Sequence, residues 1–165
     1  MKALICIVLW AVGAMSDYLT NNCPPGWTDG LSYGMGCLLF NFNTTRTWNE
    51  AQEFCYRMDH SFLVEIFSTL QQEYLEEKAY EIEGMTGQGR HWWIGATDVG
   101  SEGVWWWTHS HRLVDFSVWI TGQPDNHSGS NDGAPENYGS LHSGFGYMWN
   151  DGAYFATMDT ICQKM

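Results

Sequence analysis

Basic residues are scarce. Seven Lys and Arg stand against nineteen Asp and Glu, a formal net charge of -12 at pH 7 over 165 residues. Nucleic acid and anionic membrane surfaces are held by clustered Lys and Arg, so this balance excludes both as partners. Long apolar runs are scarce as well. Ala3 to Val12 is too short to span a bilayer, and between Lys2 and Ala14-Met15-Ser16 it reads as a secretory signal peptide over residues 1–16. No later stretch is apolar enough for a membrane span, and no linker, repeat or low-complexity tract follows. The expectation is one secreted, extracellular domain over residues 17–165, long enough for a real core. Ten tryptophans give that core rigid aromatic bulk.

Five cysteines are present, and Cys6 leaves with the signal peptide. Cys23, Cys37, Cys55 and Cys162 remain, an even number that predicts two disulfides in an exported chain with three pairings open. Cys23 and Cys37 could tie a short hairpin; Cys55 and Cys162 would then tie an early element to the C-terminus.

The chain opens on a turn at Cys23-Pro24-Pro25-Gly26-Trp27, and Tyr33 to Phe42 reads as a strand. Thr47 with Glu50 forms a capping box for a helix carrying Trp48, Ala51, Phe54, Cys55 and Met58 at helical spacing. Ser61 to Ile66 suggests a strand. A second helix spans Thr69 to Glu81, with Leu70, Tyr74, Leu75 and Ala79 inward, Glu73, Glu76, Glu77 and Glu81 in water, and Gly84 as the stop. The helical period then disappears. Trp92 to Gly95 and Val104 to Trp107 read as short strands, with Trp105, Trp106 and Trp107 as core on alternate faces. Leu113 to Phe145 is rich in Gly, Asn, Asp and Ser and shows no regular pattern. Tyr147 to Trp149 and Tyr154 to Cys162 close the chain as strands. This is an α+β order, two helices followed by an antiparallel sheet that carries a long loop. Such a loop is functional or disordered, and a bound ion would order it.

Within and just beyond that loop lie Gln123-Pro124-Asp125, Glu136 and Trp149-Asn150-Asp151. They supply three carboxylates and two carboxamides, with neither sulfur nor imidazole. A hard divalent cation suits this set, Ca²⁺ above all, which takes six to eight oxygens at about 2.3–2.6 Å. Five side chains and a main-chain carbonyl leave room for two neighbouring hydroxyls of a sugar.

Cys-Pro-Pro-Gly-Trp at 23–27, Cys37, Phe40, the Cys55 helix, Leu63-Val64-Glu65-Ile66 and Trp93-Ile94-Gly95 precede those motifs, and Cys162 follows. In this order the chain resembles the C-type lectin domain family, in its long form with an N-terminal hairpin, from Cys23 to Cys162. The resemblance implies the bridges Cys23–Cys37 and Cys55–Cys162 and a cis Pro124. It implies a Ca²⁺ site of Gln123, Asp125, Glu136, Asn150 and Asp151, the last also through its carbonyl. Sugar contacts would fall to Gln123, Asp125, His127, Glu136 and Asn150. Gln-Pro-Asp accompanies galactose-type glycans in the family, with mannose left open. The order of acid and amide across the proline sets donors and acceptors around the paired hydroxyls. The implied role is recognition of microbial or glycoprotein glycans in innate defence. With every mature cysteine paired internally, any homo-oligomer is expected to be non-covalent.

Four departures from the family pattern stand out. Tyr138 and Tyr154 occupy the positions of an inner disulfide and read as packing residues, so the loop is expected to lean more heavily on Ca²⁺. His127 stands where galactose binders often place a stacking Trp. Asp98 and Glu102, with Asn126, Glu136 and Asn137, match an auxiliary metal site, with amides at 126 and 137 where acids are commoner; the lower charge predicts weaker binding. Asn126-His127-Ser128 and Asn43-Thr44-Thr45 are glycosylation sequons, and a glycan on Asn126 would take that amide from a metal.

Other motifs carry less. His109-Ser110-His111 could offer half a zinc site, but no third ligand accompanies it, and Gly87-Gln88-Gly89 lacks the lysine of a phosphate cradle. A glycosidase using Asp125 and Glu136 is disfavoured, because carboxylates on Ca²⁺ stay ionised and donate protons poorly. The expectation is a binding protein and not an enzyme. A member of the same superfamily binding protein, mineral or ice without sugar is the alternative.

Overall fold

The computed structural model describes residues 23–127 and 134–165. The signal-peptide reading over 1–16 and Ser128 of one sequon lie outside those residues. In chain order the elements are β1 (Thr28–Asp29), β2 (Cys37–Arg46), α1 (Trp48–Arg57), β3 (Phe62–Leu63), α2 (Thr69–Thr86), β4 (His91–Thr97), β5 (Trp106–Trp107), β6 (Glu136–His142), β7 (Met148–Ala153) and β8 (Met158–Lys164). The α+β reading holds. The strand expected over Tyr33 to Phe42 is β2, which begins later, at Cys37, because Leu31–Tyr33 form a 3-10 turn and Gly36 has φ +64.

Local chemistry starts both helices. The Thr47 side chain accepts from the Glu50 N–H at 3.4 Å, and the Glu50 carboxylate accepts from the Thr47 N–H at 2.9 Å. The box leaves α1 burying Trp48, Ala51 and Cys55. Ser68 caps α2 through the Gln71 N–H. That helix runs past Gly84, which faces open space, and ends at Gly87, φ +70, whose N–H donates to the Glu83 carbonyl. A helical glycine costs about 1 kcal/mol, too little to stop a helix that is packed on its other face; a left-handed residue does stop it. The inner face also differs. Tyr74, Leu75, Ala79 and Ile82 are buried, but Leu70 is 55 % exposed. Gln71 and Gln72 take the inner positions of the first turn, binding the main chain of Tyr33, Phe67 and Tyr147 and the Trp149 indole N–H. Those bonds set the rotation that leaves Leu70 in water.

The strands run β1-β2-β8-β4-β6-β7 across one sheet, with β3 on β8 and β5 on β4. Pairing is antiparallel except between β4 and β8, which are parallel at Trp92↔Asp159 and Trp93↔Thr160. The 113–145 segment is not wholly irregular, since it contains β6. The core gathers Trp92, Trp107 and Trp149, fully buried, with the last two edge to face at 5.6 Å. Trp105 joins them, whereas Trp106 points outward and is 41 % exposed. Gly95 sits where a Cβ would meet the Leu63 carbonyl at 2.8 Å, so β4 and the β3 segment approach too closely for a side chain. Both disulfides form as the resemblance implies, Cys23–Cys37 and Cys55–Cys162. Among the described residues no helix is long and apolar enough to cross a membrane.

Candidate functional site

The stretch before Gln123 is stitched to β7. Trp149 N–H donates to the Val118 carbonyl at 2.9 Å, and Ile120 N–H donates to the Trp149 carbonyl at 2.8 Å. These bonds carry the next turn, with its cis Gln123–Pro124 bond, to β7, where Asn150 and Asp151 lie. The loop then folds on its own polar groups. Gln123 Oε1 accepts from Asp125 N–H at 3.0 Å, and Asp125 Oδ1 from His127 N–H at 3.1 Å.

Asn126 is the connector, a role that motif spacing does not reveal. It sits at φ +47, a left-handed conformation that asparagine tolerates. Its N–H donates to Asp151 Oδ2 at 2.8 Å, its Oδ1 accepts from Glu136 N–H at 2.7 Å, and its Nδ2 donates to Glu102 Oε2 at 2.7 Å. One residue therefore ties the loop to β6, β7 and the turn after β4.

Oxygen atoms of Asp125, Glu136 and Asp151 come within 4.8 Å of one another. Among the described residues this is the only set of three acid, histidine or cysteine groups close enough to share an ion. Two Ca–O bonds of about 2.4 Å each span that separation. Asp151 is fully buried and its Oδ1 has no hydrogen-bond partner, a polar atom that needs a positive neighbour. Burial pushes the Asp151 carboxyl up, opposed by the Asn126 N–H and other main-chain donors. Three acids this close repel one another, and a cation removes that cost. The Asn150 amide Nδ2 lies against the Asp151 main-chain carbonyl. A half turn of this amide sets Oδ1 beside that carbonyl, two oxygens that a cation would hold together. The donor set fits a hard oxygen-seeking ion.

The second group of predicted ligands is less converged. Asp98 is buried, accepts from Gly103 N–H at 2.8 Å through Oδ2, and leaves Oδ1 unpartnered. Burial raises its carboxyl above the ordinary range. Glu102 is exposed and is also raised, by desolvation and then by the charges of Asp98 and Asp151. Asn137 Oδ1 is buried without a partner, while its carbonyl takes the Thr97 hydroxyl at 2.8 Å. Both ends of the Asn126 amide are already engaged, which leaves this second group one ready oxygen fewer.

Asn43 is exposed on β2. His109 stacks flat on Phe62 at 3.5 Å, and the main-chain N–H groups of His109 and Ser110 both donate to buried Glu65. Motif reading missed Glu65 as the anchor of that turn. Tyr138 packs on Trp48 at 4.7 Å, as expected of a packing residue. Tyr154 does not pack inside; it is 59 % exposed in the β7–β8 turn.

Known proteins resemble this chain in sequence and fold. The chain is 30% identical over 133 residues to a perlucin-like protein of Mytilus galloprovincialis, covering 79% of this chain and 74% of that one. It is 28% identical over 145 residues to the galactose-specific lectin nattectin of Thalassophryne nattereri, covering 88% and 82%. The crystal structure of the C-type lectin CEL-I from Cucumaria echinata superposes with a TM-score of 0.72 at 32% identity, over 87% of this chain and 97% of that one. At 24% identity and a TM-score of 0.67, over 86% and 93%, a calcium-independent type II antifreeze protein shares the fold alone. Residues 44–164 match the family model described as the lectin C-type domain, so the chain belongs to the C-type lectin domain family, a family of non-enzymatic binding domains.

Proposed function

We propose that the protein is a secreted, Ca²⁺-dependent carbohydrate-binding lectin of galactose type. The observation that carries this reading is the convergence of Asp125, Glu136 and Asp151 on one point beside an unpartnered buried carboxylate oxygen. Gln123, Asp125, Glu136, Asn150 and Asp151 would hold the ion. When bound, Ca²⁺ supplies coordination positions for two vicinal sugar hydroxyls. The side chains do the rest. Asp125 and Glu136 would accept hydrogen bonds from those hydroxyls, and the amides of Gln123 and Asn150 would donate to them. His127, held by Asp125, flanks the sugar. The galactose preference is supported by the Gln-Pro-Asp order and by the likeness to nattectin. A single shallow site of this kind binds a monosaccharide at about millimolar Kd, so avidity requires several sites acting together.

Retention on galactose-agarose in calcium, with elution by EDTA, is the expected result, and retention on mannose-agarose instead would reassign the sugar. Asp125→Ala and Asn150→Ala should each abolish retention while the disulfide-held core stays folded. Retention that persists in EDTA, or in either variant, would refute the site. Absence of retention on any glycan array in calcium would favour the alternative of a protein, mineral or ice ligand.

A further inference from the structure

We infer that Gln72 of α2 is a positioning residue for the ion site. By holding Tyr147 and Trp149 it sets the start of β7, and with it Asn150, Asp151 and the Gln123 turn. This rests on the ion-binding reading above. Gln72 is 2 % exposed, and its carboxamide is bonded at both ends. Oε1 accepts from the Trp149 indole N–H at 2.8 Å. Nε2 donates to the Tyr147 carbonyl at 3.0 Å and to Glu76 Oε1 at 2.8 Å. One buried side chain thus grips the residue that precedes β7 and the second residue of that strand.

The indole bond is more than burial demands. Trp92, Trp105 and Trp107 share the core cluster with Trp149, and each buries an indole N–H that has no partner. The core therefore accommodates an unpaired indole, yet at Trp149 it supplies an acceptor. Packing against Trp107 and Trp119 leaves a ring some freedom to tilt; a bond of set length and direction to a buried amide removes it. Orientation counts at this residue because its main chain holds the loop. Trp149 N–H and carbonyl bond to Val118 and Ile120, and Gln123 N–H donates in turn to the Ile120 carbonyl at 2.8 Å. Asn150 and Asp151 follow directly in the chain.

Tyr147 supplies an independent observation. It has φ +60, a left-handed conformation that a bulky residue rarely adopts. Such strain persists only where the surroundings over-determine it, and it gathers at functional sites. Here α2 does the determining. Gln72 holds the Tyr147 carbonyl, and the Tyr147 hydroxyl donates to Glu83 Oε2 at 2.8 Å. Gln71 is the contrast on the same helical turn. Its carboxamide accepts from Phe67 N–H at 2.7 Å and donates to the Tyr33 carbonyl at 3.0 Å, partners that both precede α2 in the chain. Two neighbouring buried amides therefore divide the work, one anchoring the helix and the other fixing the strand that carries the ligands.

The test compares Gln72→Leu, which removes all three bonds, with Gln71→Leu, which removes bonds of the other kind. Calcium titration calorimetry should show Kd raised about fivefold or more in Gln72→Leu and held within about twofold of wild type in Gln71→Leu. Hydrogen exchange in EDTA, read by NMR, supplies a measure that needs no metal. The Trp149 and Ile120 amides should exchange faster relative to those of β2 in Gln72→Leu, and at the wild-type ratio in Gln71→Leu. Should Gln72→Leu fail to fold, Trp149→Phe removes the indole donor and should raise the calcium Kd about threefold or more. The role is overturned if the variant that folds keeps the wild-type Kd within about twofold, or if Gln71→Leu weakens calcium binding as much. Faster exchange with an unchanged Kd overturns it as well. If wild type itself binds no calcium, the ion reading falls and takes the positioning role with it.

Discussion

Asp151→Asn separates a metal ligand from a structural acceptor. The carboxylate is fully buried beside Asp125 and Glu136, Oδ2 is satisfied by the Asn126 N–H, and Oδ1 has no hydrogen-bond partner. An asparagine keeps the acceptor for Asn126 and removes the charge. At the 4.8 Å limit of the cluster, each like-charge pair costs ~3.5 kcal/mol at an effective dielectric of 20 and ~0.9 in water. Asp125 is exposed, so its pair lies towards the lower figure. Neutralising Asp151 in chelator should therefore stabilise the domain by about 1–3 kcal/mol, a rise in Tm of roughly 2–12 °C for a domain of this size. Calcium reverses the advantage. At one hundred times Kd, a ligand that binds only the folded state contributes about 2.7 kcal/mol, or roughly 5–11 °C. Wild type should gain that increment, and Asp151→Asn should gain close to none at the same calcium concentration. Differential scanning calorimetry of both proteins in EDTA and in calcium reads all four midpoints. Equal calcium increments in the two proteins, or none in wild type, would show that Asp151 is only a hydrogen-bond acceptor.

Three further outcomes follow from other parts of the molecule. Burial, and for His91 also the neighbouring imidazole, hold His91 and His142 below the usual histidine range; their rings lie 4.0 Å apart, and their Nδ1 atoms accept from Ser143 and Gly144 N–H. The folded state thus binds fewer protons than the unfolded one below about pH 6.5, so their contribution is full above that pH and is lost as pH falls through the lowered values. In chelator, the stability difference between wild type and His142→Phe should change between pH 7 and pH 5, and a difference that stays flat refutes the pair's role. Gly95→Ala must push a Cβ to 2.8 Å from the Leu63 carbonyl, main chain that cannot swing aside. It should cost about 1–3 kcal/mol, and a Tm within 1 °C of wild type would contradict the close approach. Replacing Cys55 and Cys162 by Ala opens a closure of 107 residues and should cost about 4–5 kcal/mol, against about 3 for Cys23 and Cys37 with separation 14. Urea titration orders the two variants, and the reverse order would refute the chain-entropy argument.

What was legible in the sequence is what neighbouring residues decide. The Thr47–Glu50 box needs only residues three apart, and it forms as read. The even cysteine count needs only export and the family order to become two bridges. Gln-Pro-Asp places an amide and an acid on either side of a proline, and the cis bond follows the resemblance. What was not legible depends on partners far along the chain. Strand β6 reads Glu-Asn-Tyr-Gly-Ser-Leu-His, a poor strand composition, yet it pairs on both edges, and Gly139 fits because a Cβ there would meet Ala96 and Ile94 at 3.1 Å. Leu70 follows helical spacing and still faces water, because the amides of Gln71 and Gln72 find fixed partners inside.

The same division runs through the site. The proposed ligand set is written in short motifs, but the convergence of its three carboxylates is made by bonds that no motif contains. Val118 and Ile120 bond to Trp149 and bring the Gln123 turn to the start of β7. Asn126 then clamps Asp151, Glu136 and Glu102 from one loop position, using its N–H and both ends of its amide. A change at Asn126 should therefore disturb the acidic cluster while leaving every motif residue in place. That makes the connector a more searching test of assembly than any ligand: Asn126→Ala should lower calcium affinity about tenfold or more, as loss of supporting contacts around a metal site does, with little effect on the disulfide-held core. Calcium titration calorimetry of that variant giving the wild-type Kd would mean that the three carboxylates hold their positions without it.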